Sequence, residues 1–478
     1  MAGAVAVGLD VGTTGVKAIA VAPDGAVVAR AESHYGLSQP RPGWSEQAPA
    51  DWWAGSEAAI AALGPLEIAG IGLSGQMHGL VALDEAERVL RPAILWNDQR
   101  TAAECAEIER RVGLERLIAL TGNRALTGFT APKLLWMRAH EPELFARIRH
   151  VLLPKDYVRL QLCGERAIDV ADASGTLLFD VAERRFSATV LDELEIPAEW
   201  MPRSLESPEI SGETAAGVPV AAGAGDCAAA ALGVGVERPG PVSLVLGTSG
   251  VVFAALPSYE PDPQARVHVF CHAVPGTWHA MGVMLSAAGS LQWARDTFAP
   301  GVAFDELMAE AEAVPAGAGG ILFLPYLSGE RTPHADPDAR AALVGLSASH
   351  TRGHIMRAVL EGVAFGLADS FDLLAALGVE ATVARASGGG ARSDFWLRIC
   401  ASVLGVPVCR MSVDEGSAFG AALLGGIAGG LFASTGEAVE ACVRVRDQID
   451  PEPAWVELYA ERRVRFRALY PALKDVLG

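Results

Sequence analysis

Apolar and turn-forming residues alternate in short blocks at the start of this chain. Val5 to Leu9, Val16 to Val21 and Ala26 to Ala31 are apolar-rich runs, separated by Gly12-Thr13-Thr14-Gly15 and by Pro23-Asp24-Gly25. Turn residues between such runs predict a three-stranded antiparallel meander. The pattern then predicts a helix over Asp51 to Leu63, a buried strand over Ile68 to Leu73, and a strand at Ile94 to Trp96 leading into a charged helix over Gln99 to Val112. Lys133 to Arg138 and Pro154 to Leu162 read as helical, and Pro202 to Gly217 as a loop. Val218 to Ala222 reads as a short strand that feeds a small-residue helix opening at Asp226.

The pattern then starts again. Leu244-Val245-Leu246-Gly247-Thr248-Ser249-Gly250-Val251-Val252 is a second glycine-threonine hairpin, preceded by the Gly/Pro-rich stretch Gly235 to Pro241. That stretch places a domain boundary between 1–237 and 238–478. Ile355, Val359, Val363, Leu367, Phe371 and Leu374 recur at helical spacing and predict a long buried helix, on which Gly362 and Gly366 permit close packing. A strand over Thr382 to Ala386 runs into Gly388-Gly389-Gly390, which opens a helix through Trp396 and Leu404. Ala418 to Ile427 reads as an apolar, glycine-rich helix, and the tail from Trp455 as a charged one. The repeat implies an α/β protein of two similar halves facing a cleft, where ligands commonly bind.

With 478 residues, the chain exceeds what one core usually needs. Its 57 acidic against 38 basic residues give a net charge of −19, which argues against a nucleic-acid-binding or membrane-binding surface. The seven cysteines include no Cys-x-x-Cys pair, which argues against a disulfide framework. Asp10 interrupts the first apolar run, so that run reads as a strand rather than a leader, and no apolar stretch reaches the ~20 residues of a membrane helix. A cytoplasmic location is the expectation.

Candidate chemistry gathers around the two hairpins. Glycine lets backbone amides approach a phosphate, and Thr or Ser hydroxyls add donors. Gly12, Thr13 and Thr14 form one candidate cradle; Gly247, Thr248 and Ser249 form the other. Asp10 beside the first turn either caps local amides or holds a magnesium ion against the phosphates. Lys17 either reaches a phosphate or is a solvated strand lysine.

Asp226, within Gly223-Ala224-Gly225-Asp226-Cys227-Ala228, is either a helix N-cap or a general base for a substrate hydroxyl. No acidic residue follows at the spacing a dinucleotide fingerprint needs. Gln76, Met77 and His78 end one buried strand, and Trp96 and Asn97 end its neighbour; both groups suit a polyol. Gly389, Gly390 and Ser393 are candidates for the nucleoside. His268, Cys271, His272 and His279 form a metal-like cluster in sequence, but strand alternation points His268 and Cys271 to opposite faces, so packing is the preferred reading.

These motifs, in this order, resemble the FGGY carbohydrate kinases over nearly the whole chain. The resemblance rests on LDVGTTGVK from Leu9, SGQMHG from Ser74, RPAILWND from Arg91 and GFTAPKLLWM from Gly128. It continues through LLPKDY from Leu152, LGTSGV from Leu246, FLPYLSGERTPH from Phe323 and GGGARSDFW from Gly388. It implies two actin-like, ribonuclease-H-type ATPase domains flanking a catalytic cleft. It also implies ATP-dependent phosphorylation of a sugar with Mg2+. Met77 and His78 match the ketose-binding pair of the branch acting on the terminal hydroxyl of D-xylulose, where glycerol-specific members carry Arg-Glu.

By the same resemblance Asp226 matches the base, Asp10 the metal-associated aspartate, Thr13, Thr14, Gly247 and Thr248 the phosphate turns, and Gly389 and Ser393 the adenosine segment. Cys227 departs from the Asn common in the family, which bears on sugar choice. Rival readings are a kinase for ribulose or glycerol and an actin-like ATPase without a sugar. The sequence leaves oligomeric state open, a homodimer included.

Overall fold

The computed structural model describes residues 3–477. Two seven-stranded mixed sheets organise it. In the first, Val5–Val11, Gly15–Val21 and Val27–His34 form the expected antiparallel meander. Ile68–Gly75 then adds in parallel beside Val5–Val11. The second sheet repeats this order. Pro241–Leu246, Gly250–Leu256 and Trp278–Met284 form the meander, and Val383–Ser387 adds in parallel beside Pro241–Leu246. His268–Cys271 extends one edge, and Val408–Met411 with Val445–Ile449 extends the other.

Some segments depart from the sequence pattern. Pro202 to Gly217 is not a plain loop: Arg203–Leu205 pairs with the buried Ala167–Asp169, and Ile210–Glu213 pairs with Pro219–Ala221. Near Ile94 only Ala93–Ile94 is extended. The Asp98 carboxylate explains the early stop. It accepts from Ser45 N at 2.7 Å and from Arg100 N at 2.9 Å, which turns the backbone after Leu95 and leaves Trp96 outside the strand.

The long helix spans Arg352–Ala376. A Cβ on Gly362 would stand 2.3 Å from Phe323 O, so glycine is required there for helix and strand to meet. The helix Ser417–Ala428 lies in sequence between two strands of the second sheet, Val408–Met411 and Val445–Ile449, but packs on the first sheet. Here backbone meets backbone. A Cβ on Gly8 would lie 2.0 Å from Ala418 O, and one on Gly72 1.8 Å from Ala421 O. On the helix side, a Cβ on Gly420 would lie 1.8 Å from Ala229 O in the helix Asp226–Gly233. Among the described residues, no helix is long and apolar enough to cross a membrane.

Gly72→Ala therefore forces the helix off the sheet, at a cost of about 3 kcal/mol or more, the upper range for overpacking. Thermal melting of the purified variant measures it; an unchanged melting temperature would contradict the backbone contact.

Candidate active site

Three parallel strands end together. Asp10 lies beside Ser74 and Ser74 beside Ala224, while Val11 lies beside Gly75 and Gly75 beside Gly225. The residues just after these positions emerge along one sheet edge, the carboxyl end, where α/β sheets bind ligands. They are Gly12–Thr14, Gln76–His78 and Asp226. The strand register thus assembles side chains more than 200 positions apart.

Burial pushes the Asp10 carboxyl up from its ordinary value, against the pull of Ser417 and of the cross-strand neighbour Lys17. Ser417 Oγ donates to Asp10 Oδ2 at 2.6 Å. Asp10 Oδ1 is buried without any partner. An orphaned carboxylate oxygen near a second carboxyl is suited to a divalent cation. Asp226 is that second carboxyl. Burial, and next the charge of Asp10, raise it to about 6. Its Oδ1 accepts from Cys227 N at 2.7 Å. Burial and then the charge of Asp226 push the Cys227 thiol well up, so it stays protonated.

His78 adopts a positive φ of 69°, which turns its side chain back toward Gly175. Its Nδ1 lies 2.7 Å from Gly175 O, so Nδ1 carries the proton and Nε2 is left as an acceptor. Lys133 Nζ and Thr130 Oγ1 donate to the His78 carbonyl at 2.8 and 3.1 Å. Burial, and next the Lys133 charge, lower the His78 pKa to about 3. The ring stands edge-on to Phe129 at 4.9 Å between centroids. Met77 packs on Gly225, where a Cβ would stand 2.8 Å from Met77 Sδ.

Gln76 lies with this group in sequence but faces the first turn. Its Nε2 donates to Gln47 Oε1 at 3.0 Å and to Gly12 O at 3.3 Å, and its Oε1 accepts from Thr13 Oγ1 at 3.3 Å. Trp96 is 42% exposed and its indole N–H donates to Thr13 Oγ1 at 3.0 Å. Asn97 carries a buried amide oxygen without a partner.

Both turns point their carbonyls inward. Gly12 O accepts from Tyr35 Oη at 2.6 Å, Thr13 O from Gln47 Nε2 at 2.6 Å, and Thr14 O from Tyr35 N at 3.2 Å. In the second turn Gly247 O accepts from Ala288 N at 2.8 Å, and Thr248 O accepts from Ala287 N at 2.8 Å. The amides of Thr13, Thr14, Thr248 and Ser249 take no protein acceptor among the described residues. Inward carbonyls with outward amides make an anion cradle.

Gly388 packs against the second turn, its would-be Cβ 3.1 Å from Gly247 N. Gly389 is exposed with open space around it, whereas Gly390 is packed under Trp396. Gly389–Arg392 forms a single tight turn rather than the start of the helix, which begins at Asp394. Ser393 caps that helix, accepting from Trp396 N at 3.2 Å. Lys17 is paired with Glu415 at 2.5 Å.

Several contributors carried no sequence signal of a role. Ser417, Gln47 and Tyr35 act only through the fold. Lys133 and Arg331 lie inside two of the family motifs, GFTAPKLLWM and FLPYLSGERTPH, and could have been singled out there. Arg331 makes no ion pair among the described residues, and its charge is felt at both Cys227 and His78. In the sequence cluster of histidines and cysteine, His268 Nδ1 meets Asn123 Oδ1 at 2.7 Å, His272 Nε2 meets Val236 O at 2.7 Å, and Cys271 N donates to Ser174 Oγ at 3.1 Å, while His279 stacks on Phe253 at 4.1 Å with both ring nitrogens buried and unpaired.

Comparison with known proteins agrees with this layout. Residues 5–233 match the N-terminal domain, and residues 242–429 the C-terminal domain, of the FGGY family of carbohydrate kinases. The chain is 44% identical to the xylulose kinase of Escherichia coli, covering 99% of this chain and 100% of that one. It is 38% identical to the xylulose kinase of Bacillus subtilis, covering 98% and 97%. A crystal structure of xylulose kinase from Rhodospirillum rubrum superposes with a TM-score of 0.92 at 35% identity, covering 99% of each chain.

The His78 geometry yields a direct expectation. Because its pKa falls to about 3, the imidazole stays neutral and Nδ1-protonated from pH 8 to pH 5. Long-range 1H–15N correlation spectra of histidine-labelled protein report this; a resonance that titrates near the ordinary value would contradict it.

Proposed function

The chain belongs to the FGGY family of carbohydrate kinases, and we propose that Asp226 is the base by which it phosphorylates D-xylulose with ATP. The observation that carries the reading is the convergence of Asp226, Asp10 and the Met77-His78 pair at one sheet edge. The product is D-xylulose 5-phosphate. Residues 1–237 hold the sugar and the base, and residues 238–478 hold most of the nucleotide.

Asp226 accepts the proton of the terminal sugar hydroxyl as its oxygen attacks the γ-phosphorus, and the bond to the ADP oxygen breaks in line. A carboxyl raised to about 6 is still largely ionised at pH 7 and holds a proton better than an ordinary aspartate does. His78 Nε2 accepts from a second sugar hydroxyl. Met77 supplies an apolar wall, and the exposed Trp96 face covers the sugar, with Asn97 beside it. Gln76 acts through the first turn, which it braces.

The free amides of Thr13, Thr14, Thr248 and Ser249 receive phosphate oxygens and offset the charge growing there, while Gly12 spends its own amide on Gly15 O at 3.0 Å and shapes the turn. Gly389, Gly390 and Ser393 border the adenosine. Lys17 lends its charge to Asp10 while held by Glu415. The orphaned Asp10 oxygen fits Mg2+, which when bound supplies neutralisation of the polyphosphate. A cytoplasmic enzyme is the matching setting.

Two experiments test this. A coupled ADP-release assay over a sugar panel is expected to give the highest kcat/KM with D-xylulose. A higher value with ribulose or glycerol would trace to Cys227 and reassign the sugar; ATP turnover that no sugar stimulates overturns the kinase reading.

Asp226→Asn is expected to lower kcat by ~100-fold or more, with ATP affinity kept within about twofold. In the wild type the base works only when ionised, so kcat/KM for the sugar falls as pH drops through about 6 and is level above it. Initial rates from pH 5 to 8 read this limb; its persistence in a partly active Asp226 variant would remove the assignment.

A further inference from the structure

Behind the site lie five charged side chains that are fully buried: Lys155, Asp156, Arg159, Asp169 and Asp172. Lys155 Nζ stands 2.6 Å from Asp156 Oδ1, 2.6 Å from Asp169 Oδ2 and 2.9 Å from Asp172 Oδ2. The carboxylates are close enough to hold a metal ion, but the ammonium already fills that place. Arg159 binds Asp156 Oδ1 at 2.6 Å and reaches the carbonyls of Ala167 and Ala222. Stability alone is a poor account of such a cluster, because apolar replacements of buried ion pairs are often neutral or stabilising.

Its members lie on neighbouring segments that touch those delivering Gln76–His78 and Asp226. Lys155 Cβ would be 3.4 Å from a Cβ on Gly75, at the end of the strand that feeds Gln76–His78. Asp169 Oδ1 accepts from Asp172 N at 2.9 Å and starts the short helix Val170–Ser174. That helix ends on Gly175, whose carbonyl fixes His78 Nδ1. Gly175 is pressed on the ring: a Cβ there would stand 2.6 Å from His78 Cε1. Ala222, held by Arg159, leads directly into the strand and turn that present Asp226.

We propose that this buried ionic cluster positions the reacting groups. Lys155, with Asp169 and Asp172, sets where Gly175 stands and so the orientation and tautomer of His78. Arg159 sets the approach of Asp226. None of the five touches substrate; they are positioning residues. The inference rests on the reading of His78 as a sugar contact and Asp226 as the base.

The test uses the full chain with Asp172→Asn, Gly175→Ala and their combination. Each single change is expected to raise the D-xylulose KM about tenfold, with the ATP KM within about twofold, as misplacement of a binding group does. The His78 15N signals are expected to show both tautomers. The double variant is expected to fall short of the product of the single effects, because both act through one ring.

Asp172→Asn that melts earlier but keeps the sugar KM and the His78 signals overturns the proposal. If Gly175→Ala also leaves the sugar KM unchanged, the assignment of His78 fails instead. Should Asp172→Asn not yield soluble protein, Arg159→Lys keeps the charge and loses the fork to Ala222. It is expected to lower kcat about tenfold with the sugar KM within about twofold, and an unchanged kcat overturns the proposal.

Discussion

The contact on which the rest depends is the seating of the helix Ser417–Ala428 on the strands Val5–Val11 and Ile68–Gly75. It is a contact of main chains, possible only because Gly8, Gly70 and Gly72 on the sheet face meet Ala418, Ala421 and Gly425 on the helix. No side chain intervenes to adjust the gap, so the spacing is fixed by van der Waals radii alone. The helix continues the chain from the second sheet, through residues 412–416. Besides side-chain contacts such as His268 with Asn123, its seat on the first sheet therefore ties the two halves together at a point of main-chain contact. That point is two residues from Asp10 along its strand, and it brings the Ser417 hydroxyl from the second half onto the Asp10 carboxylate.

The electrostatics of the cleft stem from the groups that this seating places there. Burial raises the proton affinity of both Asp10 and Asp226, and the charge of Asp10 raises that of Asp226 further, in a chain whose net charge is already −19. The nearby cations are largely committed elsewhere. Lys17 is held by Glu415, and Lys133 spends its charge on the carbonyls of His78 and Gly128. A triphosphate entering such a cleft needs donors that carry no mobile side chain. On the proposed function the two turns supply them as backbone amides, since Tyr35, Gln47 and the amides of Ala287 and Ala288 take the carbonyls away.

How much of this was legible depended on whether a residue's role was local. Both meanders, the helix opening at Asp226 and the long helix were readable because turn residues and apolar spacing dictate them locally. The two glycine-threonine turns were readable because glycine and threonine between apolar runs dictate a tight bend between strands. The parts that escaped were set by long-range contact. Gln76 looks like a strand-end ligand, yet its amide braces the first turn. Trp96 looked extended, and the Asp98 carboxylate turned the chain. Ser393 is spent as a cap within its own segment. Charges at 155, 156, 159, 169 and 172 look like a solvated surface in sequence, and only burial shows that they face one another.

The two turns show how one physical solution serves two tasks. In each half a glycine-threonine bend joins antiparallel strands and stands beside a parallel fourth strand. The halves diverge in the residues just beyond that fourth strand. After Ile68–Gly75 the chain runs into Gln76-Met77-His78, where positive φ and a carbonyl at Gly175 aim an imidazole into the cleft. After Val383–Ser387 it runs into Gly388-Gly389-Gly390, where side chains are absent and the backbone lies open at Gly389, with Gly388 and Gly390 packed on either side. A polar side chain that accepts from a hydroxyl suits a small, densely hydroxylated sugar. Bare backbone suits a flat base and ribose, which need room more than donors. On the proposed function, the division of labour between the halves is therefore carried by the residues after one equivalent strand, while the glycine-threonine bend is common to both.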